Sequence, residues 1–248
     1  ERALYNHILA SQNPENGMMT YFVPLRMGTK KQFSDQFNTF TCCVGSGIEN
    51  HAKYAEQIYS YDGKSKLYIN LFIPSVLNWK EKNIRITQTN YIPESKQVRL
   101  VVSTTNPSSF TLKIRKPSWS NAAAVMKVNN AAIKTDTDTS GYLTATRVWK
   151  NGDVVTVDLD MNLYTEAMPD NPNRIAFKYG PLVLAGLLGK EKPDPVVGVP
   201  VLLTSNRNVN DWVQPTSSLQ FLMKGVGKPF DVKLIPFYQT YDQYYSVY

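Results

Sequence analysis

At Lys66 the spacing of apolar residues switches from helical to strict alternation, and this switch limits the chain to a largely β fold. Leu67, Ile69, Leu71 and Ile73 alternate with Tyr68, Asn70 and Phe72, and the pattern returns at 84–89, 98–102 and 110–114. A period of two puts alternate side chains on opposite faces, so each stretch reads as a strand with one buried face. Turn chemistry separates them: Pro117 to Ser120, then Asn129-Asn130, which tolerates positive φ, and Asn151-Gly152 between the runs 142–149 and 154–159. Short strands and turns at this density predict an antiparallel β-sandwich over 66–165, with a hairpin at Asn151-Gly152. Past Met161 the pattern loosens into strands over 175–179 and 181–188 around a Gly-Pro turn. A charged, proline-bearing loop at 189–198 and short aromatic strands such as 230–237 follow. No internal repeat is evident.

Ahead of the switch the pattern is helical. Leu4, Ile8 and Leu9 share one side of a helix over 1–12, broken by Asn13-Pro14-Glu15-Asn16-Gly17. This helix has no start signal, which predicts a segment of a longer protein. Met18 to Leu25 reads as extended and Gly28 to Asn38 as a polar loop. A second helix is expected from about Gly47 to Tyr59, with Ile48, Ala52, Ala55 and Ile58 on one face and Ser46 and Glu49 forming a capping box. The only two cysteines of the chain, Cys42 and Cys43, are adjacent and stand just before that helix. A helix N-terminus lowers a thiol pKa and favours the thiolate that attacks carbon or binds metal. Free cysteines are also frequent core residues, so on spacing alone an inert buried pair is the first reading to weigh. A disulfide between neighbours would close a strained ring, so free thiols are expected. Two cysteines make half of a zinc shell, and His51, about two turns into the helix, is no obvious third ligand.

Composition narrows the class. The formal charge is +7, but the basic residues come in twos and threes without a basic helix face, so nucleic acid is not the expected partner. No apolar run approaches the roughly 20 residues of a membrane span. Aromatic residues reach 12%, which suits β cores and sugar-stacking surfaces alike.

Several landmarks in order resemble the C-terminal portion of β-L-arabinofuranosidases of glycoside hydrolase families 127 and 146. They are Glu1-Arg2-Ala3-Leu4-Tyr5-Asn6, Met19 to Leu25, Cys42-Cys43-Val44-Gly45-Ser46-Gly47-Ile48-Glu49-Asn50-His51, Leu67 to Pro74, Trp149 to Asp153, and Tyr179 to Gly186. The likeness spans residues 1–188, and the Cys-Cys-Val-Gly-Ser-Gly form is closer to the family 146 branch. The resemblance implies a mainly β chain with N-terminal helices, namely the last helices of an (α/α)6 barrel followed by antiparallel β-sandwich domains. Residues 1–62 would end the barrel, 63–166 form a β-sandwich, and 167–248 form a second β-rich segment.

For chemistry it implies retaining hydrolysis of β-L-arabinofuranosides of plant-type glycans. Cys42 would be the nucleophile, Cys42 and Cys43 zinc ligands, and Glu1 and Tyr21 sugar contacts. The acid/base glutamate and the other zinc ligands of the family come from barrel segments upstream of Glu1. The implied partners are therefore a carbohydrate substrate and the missing N-terminal barrel segment, and the isolated chain is expected to be inactive. Thr41 departs from the tryptophan usual in that branch. A periplasmic or extracellular location is expected. The competing expectation is a non-catalytic carbohydrate-binding or scaffold module that uses Trp79, Trp119 or Trp149 on its surface, unless those rings pack in the core.

Overall fold

The alternating stretch folds as two facing sheets. A computed structural model describes residues 1–39, 41–120 and 124–248. Lys53–Met161 forms one compact unit, and Glu1–Ala52 joins Asn162–Tyr248 in another. The strands of the first unit are β1 (Tyr59–Tyr61), β2 (Lys66–Ile69), β3 (Ser75–Trp79), β4 (Ile84–Gln88), β5 (Gln97–Thr104), β6 (Ser108–Arg115), β7 (Met126–Val128), β8 (Ala131–Ala132), β9 (Tyr142–Trp149) and β10 (Val154–Asp158). One sheet runs β1-β2-β6-β9 and the other β3-β4-β5-β10-β7-β8. The inner faces keep the period of two: Leu67, Ile69, Phe110, Leu112 and Ile114 on one sheet, and Ile84, Ile86, Val98, Leu100, Val155 and Val157 on the other, all buried. Aromatic rings join the layers. Trp79 meets Phe110 edge-on at 5.5 Å, and Phe110 meets Trp149 at 5.4 Å.

Three details differ from expectation. The Asn151-Gly152 turn forms, with Gly152 at φ +83°, but it is not a hairpin. β9 pairs with β6, while β10 pairs with β5 and β7 in the other sheet. The turn is a corner between layers. Gly152 N–H donates to the Val102 carbonyl at 2.8 Å, and the Asn151 side chain accepts from Thr104 N–H at 3.1 Å, so the corner is sewn to β5. Asp153, buried beside it, accepts from Lys150 N–H at 2.9 Å and from the Asn129 amide at 2.8 Å. Burial alone would raise this carboxyl; the two bonds hold it below its ordinary value. Next, β2 runs parallel to β6, which is possible because β3 to β5 of the other sheet intervene. Finally, the alternation over 67–73 yields strand only to Ile69. Beyond it the Leu71 and Ile73 carbonyls accept from the buried Gln88 amide at 3.0 and 2.6 Å instead of from a neighbouring strand. The Asn129-Asn130 hairpin forms as expected, with φ of 51° and 67°.

In the second unit the sheet order is β11 (Leu163–Ala167), β12 (Ile175–Tyr179), β13 (Leu182–Gly189), β18 (Lys233–Pro236), β16 (Gln220–Met223) and β15 (Val213–Ser217), with β19 (Tyr244–Ser246) also on β13. β14 (Val201–Leu202) and β17 (Gly227–Lys228) pair separately. Gly180-Pro181 links β12 to β13 in a two-residue hairpin, with Gly180 at φ +54°. The N-terminal helix, π-type over Leu4–Ile8 and 3-10 over Leu9–Ser11, docks here through Asn6. The Asn6 amide donates to Pro181 O and its carbonyl accepts from Val183 N–H, both at 2.7 Å. Ala10 packs with Ala185, Phe237, Tyr245 and Val247. No helix among the described residues is long and apolar enough to cross a membrane.

Two consequences are measurable. Trp149 is fully buried, and its indole N–H donates to Phe110 O at 3.0 Å. Trp149→Ala should destabilise the Lys53–Met161 unit by about 3–5 kcal/mol in chemical denaturation, and a loss below about 1 kcal/mol would contradict this packing. Lys31 is 3% exposed; its ammonium donates to Phe237 O at 3.0 Å and lies 4.3 Å from the Phe237 ring centre. Burial lowers its pKa to about 7 all the same. Between about pH 7 and the ordinary lysine range the unfolded chain therefore holds the proton that the folded chain has released, so stability rises with pH across that window. Lys31→Met should flatten the slope, as read from denaturation midpoints at pH 7, 8 and 9.

Candidate active site

The residues around the cysteines gain their positions from Met19. Met19 pairs with Gln12 in a single bridge, its carbonyl accepts from Ser34 N–H at 2.8 Å, and its side chain is buried. Helix α1 (Cys42–Lys53) lies against it through Gly47, where an added Cβ would come within 2.5 Å of the Met19 methyl. A glycine inside a helix costs about 1 kcal/mol relative to alanine, and here a Cβ would have to displace the Met19 methyl.

α1 begins at Cys42 and not near Gly47. The Thr41 carbonyl accepts from Val44 N–H at 3.1 Å and Gly45 N–H at 3.3 Å, so Thr41 heads the helix. The Thr41 hydroxyl, a group that often caps helices, is buried and makes no hydrogen bond among the described residues. Ser46 lies within the helix and does not head a capping box with Glu49. The helix ends at Lys53, and a short α2 (Ala55–Ile58) follows. The buried stripe of α1 is Val44 and Gly47; Ile48, Ala52 and Ala55, expected on an inner face, are exposed. The face follows the contact with Met19 and not the apolar spacing alone.

Both cysteines are therefore in the first turn, free and exposed, with their sulfurs 3.7 Å apart. Within this segment neither thiol packs in a core. Tyr21, 46% exposed, comes against both sulfurs. Its phenol is pushed above the usual tyrosine value by Cys43 first and Cys42 second, through charge and hydrogen bonding. Cys43 is itself pushed up: the hydrogen bond with Cys42 is the largest cause, burial and the charge of Cys42 add to it, and the Tyr21 hydrogen bond pulls the other way. The sulfur beside this thiol thus acts against the lowering expected of a helix N-terminus. Glu1 heads the N-terminal helix, half-buried, its carbonyl accepting from Tyr5 N–H at 3.0 Å.

Phe22 was not singled out by sequence. It is 78% exposed, and its ring lies 4.5 Å from that of Tyr21 in an edge-to-face pair. The only sequence hint is its place next to Tyr21. The tryptophans offered as sugar platforms, Trp79, Trp119 and Trp149, are all buried and present no stacking surface.

Zinc, which the resemblance implies, can be tested against the donors present. Two sulfurs each about 2.3 Å from a tetrahedral ion stand roughly 3.8 Å apart, close to the 3.7 Å seen here. The cysteine pair fits two corners of such a shell. No group of three or more His, Cys, Asp or Glu side chains suited to a metal occurs among the described residues.

Comparison with known proteins gives matches along the chain. Residues 1–56 match the family model for the GH127 catalytic domain of β-L-arabinofuranosidase, and residues 66–161 match the model for the GH127 middle domain. Three solved structures are similar in fold. A GH127 β-arabinofuranosidase shares 22% identity at a TM-score of 0.74, covering 98% of this chain and 44% of that one. A GH127 β-L-arabinofuranosidase from Geobacillus stearothermophilus T6 shares 19% at 0.72, covering 99% and 44%. A further glycoside hydrolase shares 19% at 0.69, covering 98% and 46%. The chain thus spans less than half the length of these relatives. No curated protein matches it.

Exposed thiols should react without unfolding. Iodoacetamide at neutral pH should add two carbamidomethyl groups to the native chain, at Cys42 and Cys43, as read by mass spectrometry. A native chain that stays unmodified until denaturant is added would place the sulfurs in the core instead.

Proposed function

We propose that this chain, a GH127-like segment running from the end of a catalytic domain through the middle domain, carries the nucleophile of a retaining β-L-arabinofuranosidase. The observation that supports the reading is the exposed cysteine pair at the head of α1, with Tyr21 against both sulfurs. Zinc, where bound by Cys42 and Cys43 with ligands from a preceding segment, supplies a positive charge that keeps the sulfurs deprotonated.

The chain's own residues then act in order. The Cys42 thiolate attacks the anomeric carbon and the glycosidic C–O bond breaks, with the departing oxygen taking a proton from an acid carboxyl outside this chain. Water, deprotonated by that same carboxylate, attacks the anomeric carbon next; the C–S bond breaks and Cys42 returns as thiolate, so the configuration is retained. Tyr21 orients the sulfur and the sugar hydroxyls, and Glu1 contacts the sugar from the N-terminal helix. The segment that completes the site is the remainder of an (α/α)6 barrel. The substrate class is β-L-arabinofuranosides.

The experiment uses the complete enzyme. Cys42→Ser should abolish turnover, since a serine hydroxyl is far harder to ionise. An arabinofuranose-derived electrophile should label Cys42 and leave Cys43 untouched. Cys43→Ser should lose zinc along with rate. Labelling at Cys43 alone would invert the two roles, and labelling of neither in the metallated enzyme would remove the cysteine mechanism. The 248-residue chain on its own should retain no stoichiometric zinc through dialysis and should not hydrolyse an aryl β-L-arabinofuranoside; turnover by it would show that no upstream acid is needed.

A further inference from the structure

The Lys53–Met161 unit carries an open groove of about 620 Å³ along β3, β4 and β5. Trp79, Ile84 and Val102 of these strands turn into the core, so the alternation turns Asn78, Arg85 and Ser103 outward. These three are register partners in one row, Asn78 opposite Arg85 and Arg85 opposite Ser103. Lys80 and Asn83 line the groove from the turn between β3 and β4, where Asn83 takes φ +52°. Asn151 lines it from the corner after β9. Its side-chain oxygen accepts from Thr104 N–H at 3.1 Å, and its amide donates to nothing among the described residues. Asn78, Lys80, Asn83 and Arg85 are exposed, and their side chains make no hydrogen bond or ion pair among the described residues. No carboxylate lines the groove among those residues. Asp153 is buried and already bonded to Lys150 N–H and the Asn129 amide, and Glu81 lies outside the lining. The whole lining falls between residues 78 and 151, so neither end of the chain supplies a counter-charge there.

From these unpaired groups we infer that the groove binds an acidic saccharide, with its carboxylate on Arg85 and Lys80 and its ring hydroxyls on Asn78, Asn83, Asn151 and Ser103. Two cations sharing one groove without a counter-charge favour a bound anion, and a planar guanidinium pairs with a carboxylate through two parallel hydrogen bonds. An amide carries a donor and an acceptor on one group, which matches the neighbouring hydroxyls of a sugar ring, each of them donor and acceptor at once. A nucleic acid would need a ring on which to stack its bases, and Trp79, the aromatic residue of the lining, is buried. At the roughly 30 Å³ a water molecule occupies in the liquid, the space suits on the order of twenty non-hydrogen atoms, about two uronate rings. The site is independent of the cysteine chemistry.

The test is calorimetric titration of the 248-residue chain and of the complete enzyme with three probes. They are digalacturonate, the neutral disaccharide galactobiose, which keeps the rings and removes the charge, and citrate, which keeps the charge and removes the rings. Digalacturonate should bind once per chain, about tenfold or more tighter than either of the others, and alike in both proteins. Arg85→Gln, at an exposed position, should weaken digalacturonate to the level of galactobiose, leave galactobiose unchanged and leave the melting temperature where it was. Asn78→Ala should weaken both sugars severalfold. Equal affinity for the acidic and the neutral sugar, or digalacturonate binding that survives Arg85→Gln, would remove the carboxylate contact and overturn the assignment. Citrate binding as tightly as digalacturonate would leave an anion site without a sugar. Binding by the chain that is lost in the complete enzyme would assign the groove to a preceding segment, and no saturable binding by either protein would end the proposal.

Discussion

The segment that leads from Tyr21 toward the cysteine pair is fastened by one residue of the distant C-terminal strand. Tyr245 is fully buried, and its backbone takes the incoming segment in both directions: Gly28 N–H donates to Tyr245 O, and Tyr245 N–H donates to Thr29 O, each at 3.0 Å. The phenol reaches further and donates to Pro24 O at 2.5 Å. Its ring packs on Phe237 at 5.1 Å. Three hydrogen bonds at about 1 kcal/mol each and a buried aromatic worth roughly 1.5–3 kcal/mol fasten residues 24–29, which form no strand of their own. Burial pushes the phenol well above the usual tyrosine range, so the hydroxyl stays protonated and the bond to Pro24 persists wherever the protein is folded. Tyr21 precedes this attachment by three residues, and the chain leaves it toward α1.

Local pattern in the sequence carried the strands well and their partners poorly. Side-chain alternation reports burial of a face, and the strands near 84, 98, 110, 142 and 154 lie where alternation puts them. Which strand lies beside which is decided by contacts distant in sequence. Asn151-Gly152 has the turn chemistry of a hairpin, yet Trp149 stays with β6 and Val154 joins β5, and the corner bonds to β5 through Gly152 N–H on Val102 O and the Asn151 side chain on Thr104 N–H. A turn residue fixes the local φ and is silent on pairing. The same limit applies to the union of residues 1–52 with 162–248, which rests on pairs such as Asn6 with Val183, 177 positions apart.

At the candidate site, sequence singled out the residue types but misjudged their setting. The adjacent cysteines and Tyr21 were legible, and the structure brings Tyr21 to both sulfurs. The start of the helix was misplaced because Ser46 and Glu49 imitate a capping box, while the carbonyl that heads α1 belongs to Thr41, five residues earlier. The thiol electrostatics also turned on a neighbour. A helix terminus contributes a partial charge of about half a unit, but a second sulfur 3.7 Å away opposes the loss of a second proton directly. Vicinal thiols without a cation therefore resist double ionisation, and only a positive charge between them reverses that balance.

Gly47 shows why position prevails over propensity in this segment. A helix bearing Gly45 and Gly47 forfeits about 1 kcal/mol at each relative to alanine, and its exposed Ile48 and Ala52 recover little by burial. What the glycine permits is an approach to Met19 that no side chain at that position would allow without displacing the Met19 methyl. Met19 is held by the Gln12 bridge and by Ser34. Two residues further along the same strip comes Tyr21, and the same helix places Cys42 and Cys43 one turn before Gly47. The helix and the strip are therefore fixed to each other at one shared contact, with the reactive groups of each a short distance from it. That shared contact lies close to both the Tyr21 ring and the Cys42 and Cys43 sulfurs that the ring meets.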